Sequence, residues 1–326
     1  MKNLLVTGGA GYIGSHNVKF LLEKGFQVVV LDDLSGGFLD AVQNEAIFVE
    51  GNIGSVEILD ALFEKYNFDA VLNFASFIEV GESVQNPSKY YLNNVANTLV
   101  LLDAMVRHKI KKFIFSSTAA IFGIPDHVPI DETQPKHPIN AYGRSKLMIE
   151  QLLPDYSKAY GLQSVCLRYF NAAGADPKGH LGERHDPETH LIPLVLQVAS
   201  DTRDSITIFG NDYDTPDGTC VRDYVHVQDL AQAHWLALNY LEKHKQSAEF
   251  NLGNGSGYSI HEVINSVREV TGHNIPVEIG ARREGDPARL VADSRLAKEQ
   301  LAWAPEFSGL NEIVRHAWNW EQQNKT

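Results

Sequence analysis

The sequence predicts an α/β fold in which a doubly wound parallel sheet is followed by a smaller C-terminal α/β unit. Short apolar runs without polar alternation alternate with helix-length amphipathic stretches through the first half of the 326 residues, as expected of parallel strands covered on both faces. A glycine-rich turn follows the first run and opens the first helix. After Asn171 the pattern changes to a loop rich in Gly, Pro, His and Asp, which indicates a second unit.

Six apolar runs in the first half are predicted to be strands of this sheet. They lie at residues 3–7, 27–31, 46–49, 70–74, 112–116 and 164–169. The helix-length segments between them complete repeated βαβ units. We therefore expect a first unit at residues 1–171 and a second at 172–326. A helix is expected near 191–200, and a segment near 219–245, helical and apolar on one face at 225–241, is expected to pack back on the first unit.

Composition and charge exclude several classes of protein. The chain has 28 Lys and Arg residues against 41 Asp and Glu residues, a net charge of −13, which argues against a nucleic-acid binder or a protein that docks on anionic membranes. No apolar run approaches the roughly 18 residues of a membrane span, and the N-terminal run is too short for a signal peptide. Cys166 and Cys220 show no metal-ligand spacing. A reducing, cytoplasmic location is expected.

The glycine-rich turn has the spacing of a dinucleotide-binding loop. Residues 7–14 read Thr-Gly-Gly-Ala-Gly-Tyr-Ile-Gly, so Gly8, Gly11 and Gly14 form Gly-x-x-Gly-x-x-Gly between a strand and a helix. Glycines let the backbone approach a pyrophosphate, and the free N–H groups of the helix N-terminus near Tyr12 favour its charge. The alternative is an ordinary glycine-rich turn, but the flanking strand and helix favour a dinucleotide site.

Two acidic residues, Asp32 and Asp33, end the second predicted strand. A carboxylate at this place accepts hydrogen bonds from the hydroxyls of an adenosine ribose and disfavours a 2′-phosphate. The pair therefore favours NAD over NADP, with Asp32 as the better candidate because it directly follows Leu31. The alternative is a solvated loop acid.

Tyr142 and Lys146 form the candidate proton-handling pair. Residues four apart lie on one face of a helix, and of the 12 tyrosines only Tyr142 has a lysine at this spacing. We expect the ammonium to stabilise the phenolate and lower the pKa of Tyr142 from about 10 toward neutrality, and the positive nicotinamide ring to add to this effect, which would make Tyr142 a general base. Thr118 follows the predicted fifth strand and could exchange a hydrogen bond with Tyr142 or a substrate hydroxyl. The alternatives are an aromatic residue near a solvated lysine and an ordinary hydroxyl-rich strand end.

Six segments occur in order and without large gaps. They are Thr-Gly-Gly-Ala-Gly-Tyr-Ile-Gly-Ser-His at 7–16, Val-Gly-Glu-Ser-Val at 80–84, Ser-Ser-Thr at 116–118, Tyr-x-x-x-Lys at 142–146, Leu-Arg-Tyr-Phe-Asn at 167–171 and Arg-Asp-Tyr-Val-His at 222–226. Together they resemble the UDP-glucose 4-epimerase family of the extended short-chain dehydrogenases/reductases, and the resemblance continues to Trp303 and the C-terminus. It implies a Rossmann-type fold, a tightly held NAD and a homodimer.

The resemblance also implies a reaction. Tyr142 takes the proton of the sugar 4-hydroxyl while hydride passes from C4 to NAD, and the 4-keto sugar turns over before it takes the hydride back on its other face. Thr118 matches the family's partner of the tyrosine, and Lys146 would also hold the nicotinamide ribose. The substrate would be a UDP-hexose, UDP-galactose or UDP-glucose.

Further contacts are carried over from the family residue by residue. The other implied NAD contacts are Tyr12, Ile13, Asp32, Asn52, Ile53, Phe74, Ala75, Asn93 and Tyr169. The implied substrate contacts, besides Thr118, are Asn171, His190, Leu191, Thr207, Phe209, Arg222, Arg283, Asp286 and Leu290. Arginine suits a diphosphate because its planar fork donates two hydrogen bonds together; the alternative for Arg283 is a surface charge in a loop.

Three positions depart from the family pattern. Asn52 stands where many relatives have Asp beside the adenine, and Ile78 where some have a lysine near the cofactor phosphate. Loss of one charge-assisted hydrogen bond could weaken NAD retention by about 1.5–3 kcal/mol. Leu290 replaces a bulky tyrosine of some relatives, which predicts room for an N-acetyl group and turnover of UDP-N-acetylglucosamine; the alternative is that Leu290 packs in a core.

Competing functions within and outside the family are less well supported by the residues. A nucleotide-sugar dehydratase carries Asp-Glu directly after the strand-end threonine, where this chain has Ala119 and Ala120. A UDP-glucuronate epimerase would need carboxylate-binding groups that the sequence does not reveal. A non-catalytic NAD-binding regulator would not need to keep Tyr142, Lys146 and Thr118.

Two further features leave alternatives open. His180, His185 and His190 lie near Asp186 and Glu188, but no regular element brings this spacing onto one face, so no metal site is predicted. The helices predicted at 87–107 and 142–160 carry apolar faces that could form a four-helix dimer contact or pack only on the sheet. The residues of those faces are Val95, Leu99, Leu102, Leu147, Ile149 and Leu152.

Overall fold

The computed structural model describes residues 2–283 and 286–323. Its strands are β1 (Asn3–Thr7), β2 (Gln27–Asp32), β3 (Ile47–Glu50), β4 (Phe68–Asn73), β5 (Lys112–Thr118), β6 (Gln163–Tyr169), β7 (Asn171–Ala173), β8 (Ile206–Phe209), β9 (Val221–Arg222), β10 (Tyr224–His226), β11 (Ala248–Leu252), β12 (Tyr258–Ser259), β13 (Val277–Gly280) and β14 (Arg289–Leu290). Its α-helices are α1 (Tyr12–Glu23), α2 (Val56–Lys65), α3 (Val80–Gln85), α4 (Pro87–Tyr90), α5 (Asn97–Arg107), α6 (Ala141–Tyr160), α7 (Leu191–Ala199), α8 (Val227–His244), α9 (Ile260–Thr271), α10 (Arg295–Gln300) and α11 (Leu310–Gln323). A π-helical segment, Tyr91–Ala96, joins α4 to α5.

A seven-stranded parallel sheet forms the centre of the fold, in the order β11-β6-β5-β4-β1-β2-β3. The predicted doubly wound α/β fold is therefore confirmed, and all six predicted strands belong to this sheet. The strand order reverses between β1 and β4, where the Thr7 hydroxyl donates to Asn73 Oδ1 over 2.6 Å. Ligands of such sheets bind at the carboxyl ends of the strands beside this point.

Helices cover both faces of the sheet. Buried side chains of α1 and α8 pack against one face, among them Val18, Leu21 and Leu230. The other face is covered by α2, α5 and α6, whose Leu102 and Ile149 are buried against the strands. Continuous apolar strands with two covered faces explain why the strands were predictable without polar alternation.

Two elements after residue 170 differ from the prediction. The loop predicted from Ala172 contains the short strand β7, which pairs in parallel with β10. The sheet also gains β11 at its edge, paired with β6, beyond the segment expected to pack back. The run Ala-Glu-Phe-Asn-Leu alternates apolar and polar residues, a pattern typical of a strand, but it is only five residues long and the sequence analysis did not assign it.

The smaller C-terminal elements surround a separate apolar core. Side chains from α7, α9 and α11 form it, including Val195, Ile264 and Val314. Small sheets flank this core, β12-β9-β14 and β13-β8, and a further pair joins β10 to β7. In residues 2–283 and 286–323, no helix is both long and apolar enough to cross a membrane.

Candidate active site

The predicted proton-handling residues meet where β5 ends and α6 begins. Asn140 caps α6 by accepting a hydrogen bond from the Gly143 N–H over 2.8 Å, so Tyr142 and Lys146 occupy the first turns of the helix. The Lys146 ammonium is 2% exposed, donates to the Ser116 carbonyl over 2.8 Å and lies 5.9 Å from the Tyr142 ring centroid. The Thr118 hydroxyl hydrogen-bonds to the Tyr142 phenol.

The expected effect of Lys146 on the pKa of Tyr142 is wrong for this structure. Burial raises the pKa of Tyr142 to about 12, opposed by the hydrogen bond from Thr118 and reinforced by the negative charge of Glu79. Burial also lowers the pKa of Lys146 to about 7, so near neutral pH the lysine carries only part of a charge. A phenolate therefore needs further positive charge, of the kind that a cationic nicotinamide ring supplies.

A buried ion pair that the sequence analysis missed holds α6 against the sheet. Arg168 of β6, fully buried, donates to both carboxylate oxygens of Glu150, at 2.9 Å from Nε and 2.7 Å from Nη2. The Ser117 hydroxyl donates to the same carboxylate over 2.6 Å. Because Glu150 lies one helical turn beyond Lys146, these bonds fix the depth and rotation of the catalytic helix. The available signal was an arginine inside an otherwise apolar strand.

Ser116 and Asn94, which the sequence analysis did not name as site residues, hold neighbouring groups of the site in place. The Ser116 hydroxyl shares a short hydrogen bond with the Tyr169 phenol, and its carbonyl holds Lys146. Asn94, in the π-helical segment, donates to the Phe77 carbonyl and to the Ser145 hydroxyl, each over 3.0 Å. Asn94 lies in no motif, and Ser116 was noted only as part of the Ser-Ser-Thr segment, because the role of each depends on contacts between distant segments.

The glycine loop has the form of a cradle for a dinucleotide. A Cβ on Gly8 would lie 2.4 Å from the Ala75 backbone nitrogen, and one on Gly14 only 2.0 Å from the Gly8 carbonyl oxygen. A Cβ on Gly11, in contrast, would meet no atom closer than 3.5 Å. No side chain caps the start of α1, so its first N–H groups are available to an anion. The loop therefore fits a pyrophosphate.

Matched alanine variants should distinguish a glycine that borders the ligand space, Gly11, from one that allows close backbone packing, Gly14. We expect Gly11→Ala to fold with a free energy of unfolding within about 1 kcal/mol of wild type but to retain less NAD, because its methyl group points to the space where the pyrophosphate would lie. Gly14→Ala should lose more than about 2 kcal/mol through overpacking. Urea denaturation and the nucleotide content of the purified proteins measure both effects, and equal NAD content in wild type and Gly11→Ala would contradict the assignment.

The predicted ribose and adenine residues lie at the ends of β2 and β3. Asp32 is buried and accepts N–H bonds from Ala10 and Leu34, each over 2.9 Å. Asn52 donates to Asp33 Oδ2 over 2.6 Å, a bond that the aspartate of other family members could make only when protonated. The asparagine is thus accommodated by this chain's own Asp33, whether or not it also contacts adenine.

The remaining cofactor candidates occupy the central strand ends and the adjoining helices. Phe74 and Tyr169 both contact the ring of His234, with centroids 4.7 and 5.9 Å away. Asn93 donates to Asn94 Oδ1 over 3.1 Å, and Ile53 is buried against the sheet. The phenol of Tyr12 donates to the Gly174 carbonyl over 2.6 Å, which joins the glycine loop to the second half of the chain.

Five of the ten predicted substrate residues lie near β9. Arg222 forms an ion pair with Asp286 and lies opposite Leu290 in the pairing of β9 with β14. Asn171 Nδ2 donates to the Asp223 carbonyl over 2.8 Å. Arg222, Asp286 and Arg283 all affect the pKa of the Cys220 thiol, which burial raises, so these three charged groups lie close together.

One of these residues, Arg283, forms a cation–π pair with Phe209, a further predicted residue. The Arg283 guanidinium lies 4.1 Å from the centroid of the Phe209 ring. Thr207 is two residues before Phe209 on β8, which pairs in parallel with β13. A planar base could share this cation–π stack.

His190 has a different environment. The backbone N–H of His190 donates to Glu188 Oε1 over 2.8 Å. The ring Nδ1 of His190 lies 2.5 Å from Glu183 Oε1. Burial opposes the charge on His190, but Glu183, Glu188 and Glu79 outweigh it and raise the pKa to about 9. Leu191 follows as the first residue of α7. The two residues are thus placed by a glutamate–histidine cluster.

The reason given against a metal site does not hold in the structure. Although no regular element aligns them, Glu183, His185, Glu188 and His190 converge, with one potential ligand atom of each within 4.8 Å of the others. His180 and Asp186 are not members of this group.

Comparisons with known proteins agree with the fold and the glycine loop. A family model described as the NAD dependent epimerase/dehydratase family matches residues 4–253. The UDP-glucose 4-epimerase of Halalkalibacterium halodurans is 54% identical over 321 residues, 98% of this chain and 96% of that protein.

Two solved structures extend the likeness to the whole chain. UDP-glucose 4-epimerase from Brucella ovis in complex with NAD is 49% identical, with a TM-score of 0.95 and 98% of each chain covered. The UDP-Glc/GlcNAc 4-epimerase from Campylobacter jejuni is 43% identical, with a TM-score of 0.87 and coverage of 99% of this chain and 100% of that one. The chain therefore belongs to the NAD dependent epimerase/dehydratase family and, within it, to the UDP-glucose 4-epimerases.

Proposed function

We propose that this protein interconverts UDP-galactose and UDP-glucose by oxidising and re-reducing C4 of the sugar. The observation that carries the proposal is the convergence of Thr118, Tyr142 and Lys146 at the sheet edge that also carries the glycine loop. When bound, NAD supplies the hydride acceptor and, after the sugar has turned, the hydride donor.

The chain's own residues handle the proton. As the phenolate, Tyr142 takes the proton of the sugar 4-hydroxyl and later returns it, while Thr118 holds the two oxygens in line through its hydroxyl. Lys146, anchored on the Ser116 carbonyl, supplies positive charge beneath the phenol when protonated and a donor for the nicotinamide ribose. Placing these groups in a buried site excludes water, which strengthens each of these interactions.

The charged groups around β9 fit the nucleotide end of the substrate. Arg222 and Arg283 bind the diphosphate, Asn171 supports it, and Asp286 accepts from the uridine ribose. Phe209 and Thr207 border the uracil, and His190 and Leu191 lie at the start of α7, whose N-terminus favours an anion. Anchoring through UDP leaves the sugar free to present either face, as an epimerisation requires.

A dehydratase and a binding module are the competing functions. Dehydration requires an acid and a base beside the oxidised sugar, but the residues after Thr118 are Ala119 and Ala120. The deciding assay mixes the purified protein with UDP-galactose without added NAD. UDP-glucose without net NADH supports the proposal; steady NADH formation indicates a dehydrogenase, and loss of water from the sugar indicates a dehydratase. No conversion of any kind indicates a binding module.

We further propose that UDP-N-acetylglucosamine is accepted. Leu290 packs in part against a small cluster that contains Ile121 and Ile130, and it lies opposite Arg222, so it borders the proposed substrate site. Leucine leaves more room there than tyrosine, and the Campylobacter jejuni relative is a UDP-Glc/GlcNAc 4-epimerase.

Substitution at this position tests the width of the pocket. We expect Leu290→Tyr to lower kcat/KM for UDP-N-acetylglucosamine about tenfold or more, because the larger ring would occupy the space of the acetyl group. Turnover of UDP-galactose should change much less. Leu290→Met is the matched control of similar volume. A Leu290→Tyr variant that loses both activities in equal proportion would contradict a role in sugar selection.

We propose a homodimer built on the π-helical segment and α6. Leu102 and Ile149 are buried in the core beneath the sheet. The other four residues of the predicted faces are half-buried: Val95, Leu99, Leu147 and Leu152. Leu92 and Met148 on the same elements are 63% and 42% exposed. Sedimentation analysis of Leu92→Glu with Met148→Glu should find a monomer where wild type sediments as a dimer, and identical sedimentation would contradict this interface.

We also propose that the two parts of the chain bind different ligands. Residues 1–171, with the helix of the return segment near 219–245, hold NAD, and residues 172–326 hold the UDP-sugar. The packing of α8 against the same sheet face as α1 supports this division. A cytoplasmic location is consistent with the two buried free thiols, Cys166 and Cys220.

A further inference from the structure

Two glutamates and two histidines form a compact group outside the proposed proton-handling site. His185 Nδ1 lies 3.6 Å from a carboxylate oxygen of Glu183 and 3.3 Å from one of Glu188. His190 Nδ1 lies 2.5 Å from Glu183 and 3.8 Å from Glu188. We call these four residues the Glu–His cluster.

The spacing of the cluster suits a four-coordinate metal ion. A tetrahedral Zn²⁺ holds imidazole nitrogens and carboxylate oxygens at about 2.0–2.2 Å, which places neighbouring ligand atoms roughly 3.3–3.5 Å apart. The separations in the cluster scatter around this value, and the largest is 4.8 Å. Side-chain shifts of about 1 Å would close the group around an ion.

The charge and burial of the cluster also favour a cation. The side chains of Glu183 and Glu188 are only 6% and 7% exposed, and buried carboxylates need a compensating partner. Within residues 2–283 and 286–323, their ion pairs are made with His185 and His190 and not with lysine or arginine. One divalent cation would neutralise both carboxylates, and any proton on the imidazoles would be released as the ion binds.

Surrounding contacts hold the four residues in place. Trp320 of α11 donates to the Glu183 carbonyl over 3.1 Å, and Glu188 Oε1 accepts from the N–H groups of Thr189 and His190. The His185 ring packs edge-on against Tyr12 at the start of α1, with centroids 6.3 Å apart. The cluster therefore joins α1, α7 and α11.

We propose that Glu183, His185, Glu188 and His190 form a structural site for a divalent transition-metal ion, with Zn²⁺ as the expected occupant. Mixed imidazole and carboxylate ligands favour Zn²⁺ over Ca²⁺ and Mg²⁺, which prefer oxygen ligands alone. Four protein ligands leave no open position, so the ion fastens the 183–190 segment against Tyr12 and takes no part in hydride transfer. The proposed metal site shares His190 with the proposed substrate site, but the reacting groups Thr118, Tyr142 and Lys146 are not among its ligands.

Zinc titration of the chelator-treated protein, prepared without a histidine tag, tests the site. In competition with a chromophoric chelator, wild type should bind one Zn²⁺ per chain. His185→Gln and Glu188→Gln should bind it at least about 100-fold more weakly, since loss of even an outer-shell partner costs 10–100-fold. His180→Gln is the matched control, because His180 lies in the same loop, is 62% exposed and is outside the cluster; it should bind zinc as wild type does.

Two readouts make the outcome decisive. Bound Co²⁺ should give wild type and His180→Gln the intense visible absorption of a four-coordinate site, and this spectrum needs no cluster variant to fold. Zn²⁺ should raise the Tm of these two proteins and not that of His185→Gln. Absence of stoichiometric zinc binding by wild type, a six-coordinate cobalt spectrum, or folded His185→Gln and Glu188→Gln variants with wild-type zinc affinity would overturn the proposal.

Discussion

Tyr142→Phe is expected to lower turnover of UDP-galactose by about 10²–10⁴-fold, the usual contribution of a positioned acid–base group. The variant keeps the aromatic ring that packs near Lys146 and loses only the oxygen that exchanges the proton. Because the pKa of Tyr142 is raised to about 12 by burial, the protein alone does not generate the phenolate at neutral pH. The base therefore forms only when the site is complete.

The same variant should still bind NAD, since the substitution leaves the glycine loop and Asp32 unchanged. Nucleotide content and a steady-state assay on one preparation separate the two effects. Tyr160→Phe is the matched control, because Tyr160 lies at the other end of α6 and is 49% exposed; its turnover should equal that of wild type. Near-normal turnover by Tyr142→Phe would overturn the assigned mechanism.

Local patterns predicted the parts of the site that a single element determines. Glycine spacing between β1 and α1 indicated the cradle, and the four-residue spacing of Tyr142 and Lys146 placed both on one face of α6. These features depend on the periodicity of one helix or on one strand-to-helix turn. Such local patterns can be read directly from the sequence. The unpredicted strand β11 is short and lies at the edge of the sheet, where it is held by pairing with β6.

Features that join distant segments were not predictable in this way. The Arg168–Glu150 pair spans β6 and α6, and the Tyr12–Gly174 bond links residues 162 positions apart. His185, Glu188 and His190 of the Glu–His cluster were noted in the sequence together with His180 and Asp186, but Glu183 was not, and only the folded loop brings the four side chains together. The pKa of Tyr142 was predicted with the wrong sign because the lysine's charge was counted and the burial of both groups was not.

Lys146 is expected to make the stability of the fold depend on pH. Burial lowers its pKa in the folded protein to about 7, whereas an exposed lysine in the unfolded chain titrates near 10.4. Between these values the unfolded chain binds a proton that the folded protein does not bind, so the free energy of unfolding rises with pH over this range. The limiting slope is about 1.4 kcal/mol per pH unit.

Lys146→Met should remove this slope. Urea denaturation at pH 7.0 and 8.5 is expected to show wild type gaining about 1.5–2 kcal/mol relative to the variant, if the nucleotide content of the two preparations is matched. Lys158→Met, at an exposed position on the same helix, is the control and should follow wild type. Turnover should also fall in Lys146→Met, by about 10²-fold or more, because the phenolate loses its neighbouring cation.

The two measurements on Lys146→Met distinguish the effect of Lys146 on stability from its contribution to catalysis. A buried amine held against the Ser116 carbonyl destabilises the fold below about pH 10. This destabilisation is retained because the site needs a cation beneath Tyr142. A variant that loses activity while its stability keeps the pH dependence of wild type would show that Lys146 is charged in the folded protein. The cation would then come from the lysine itself, and the nicotinamide ring would be required less for formation of the phenolate.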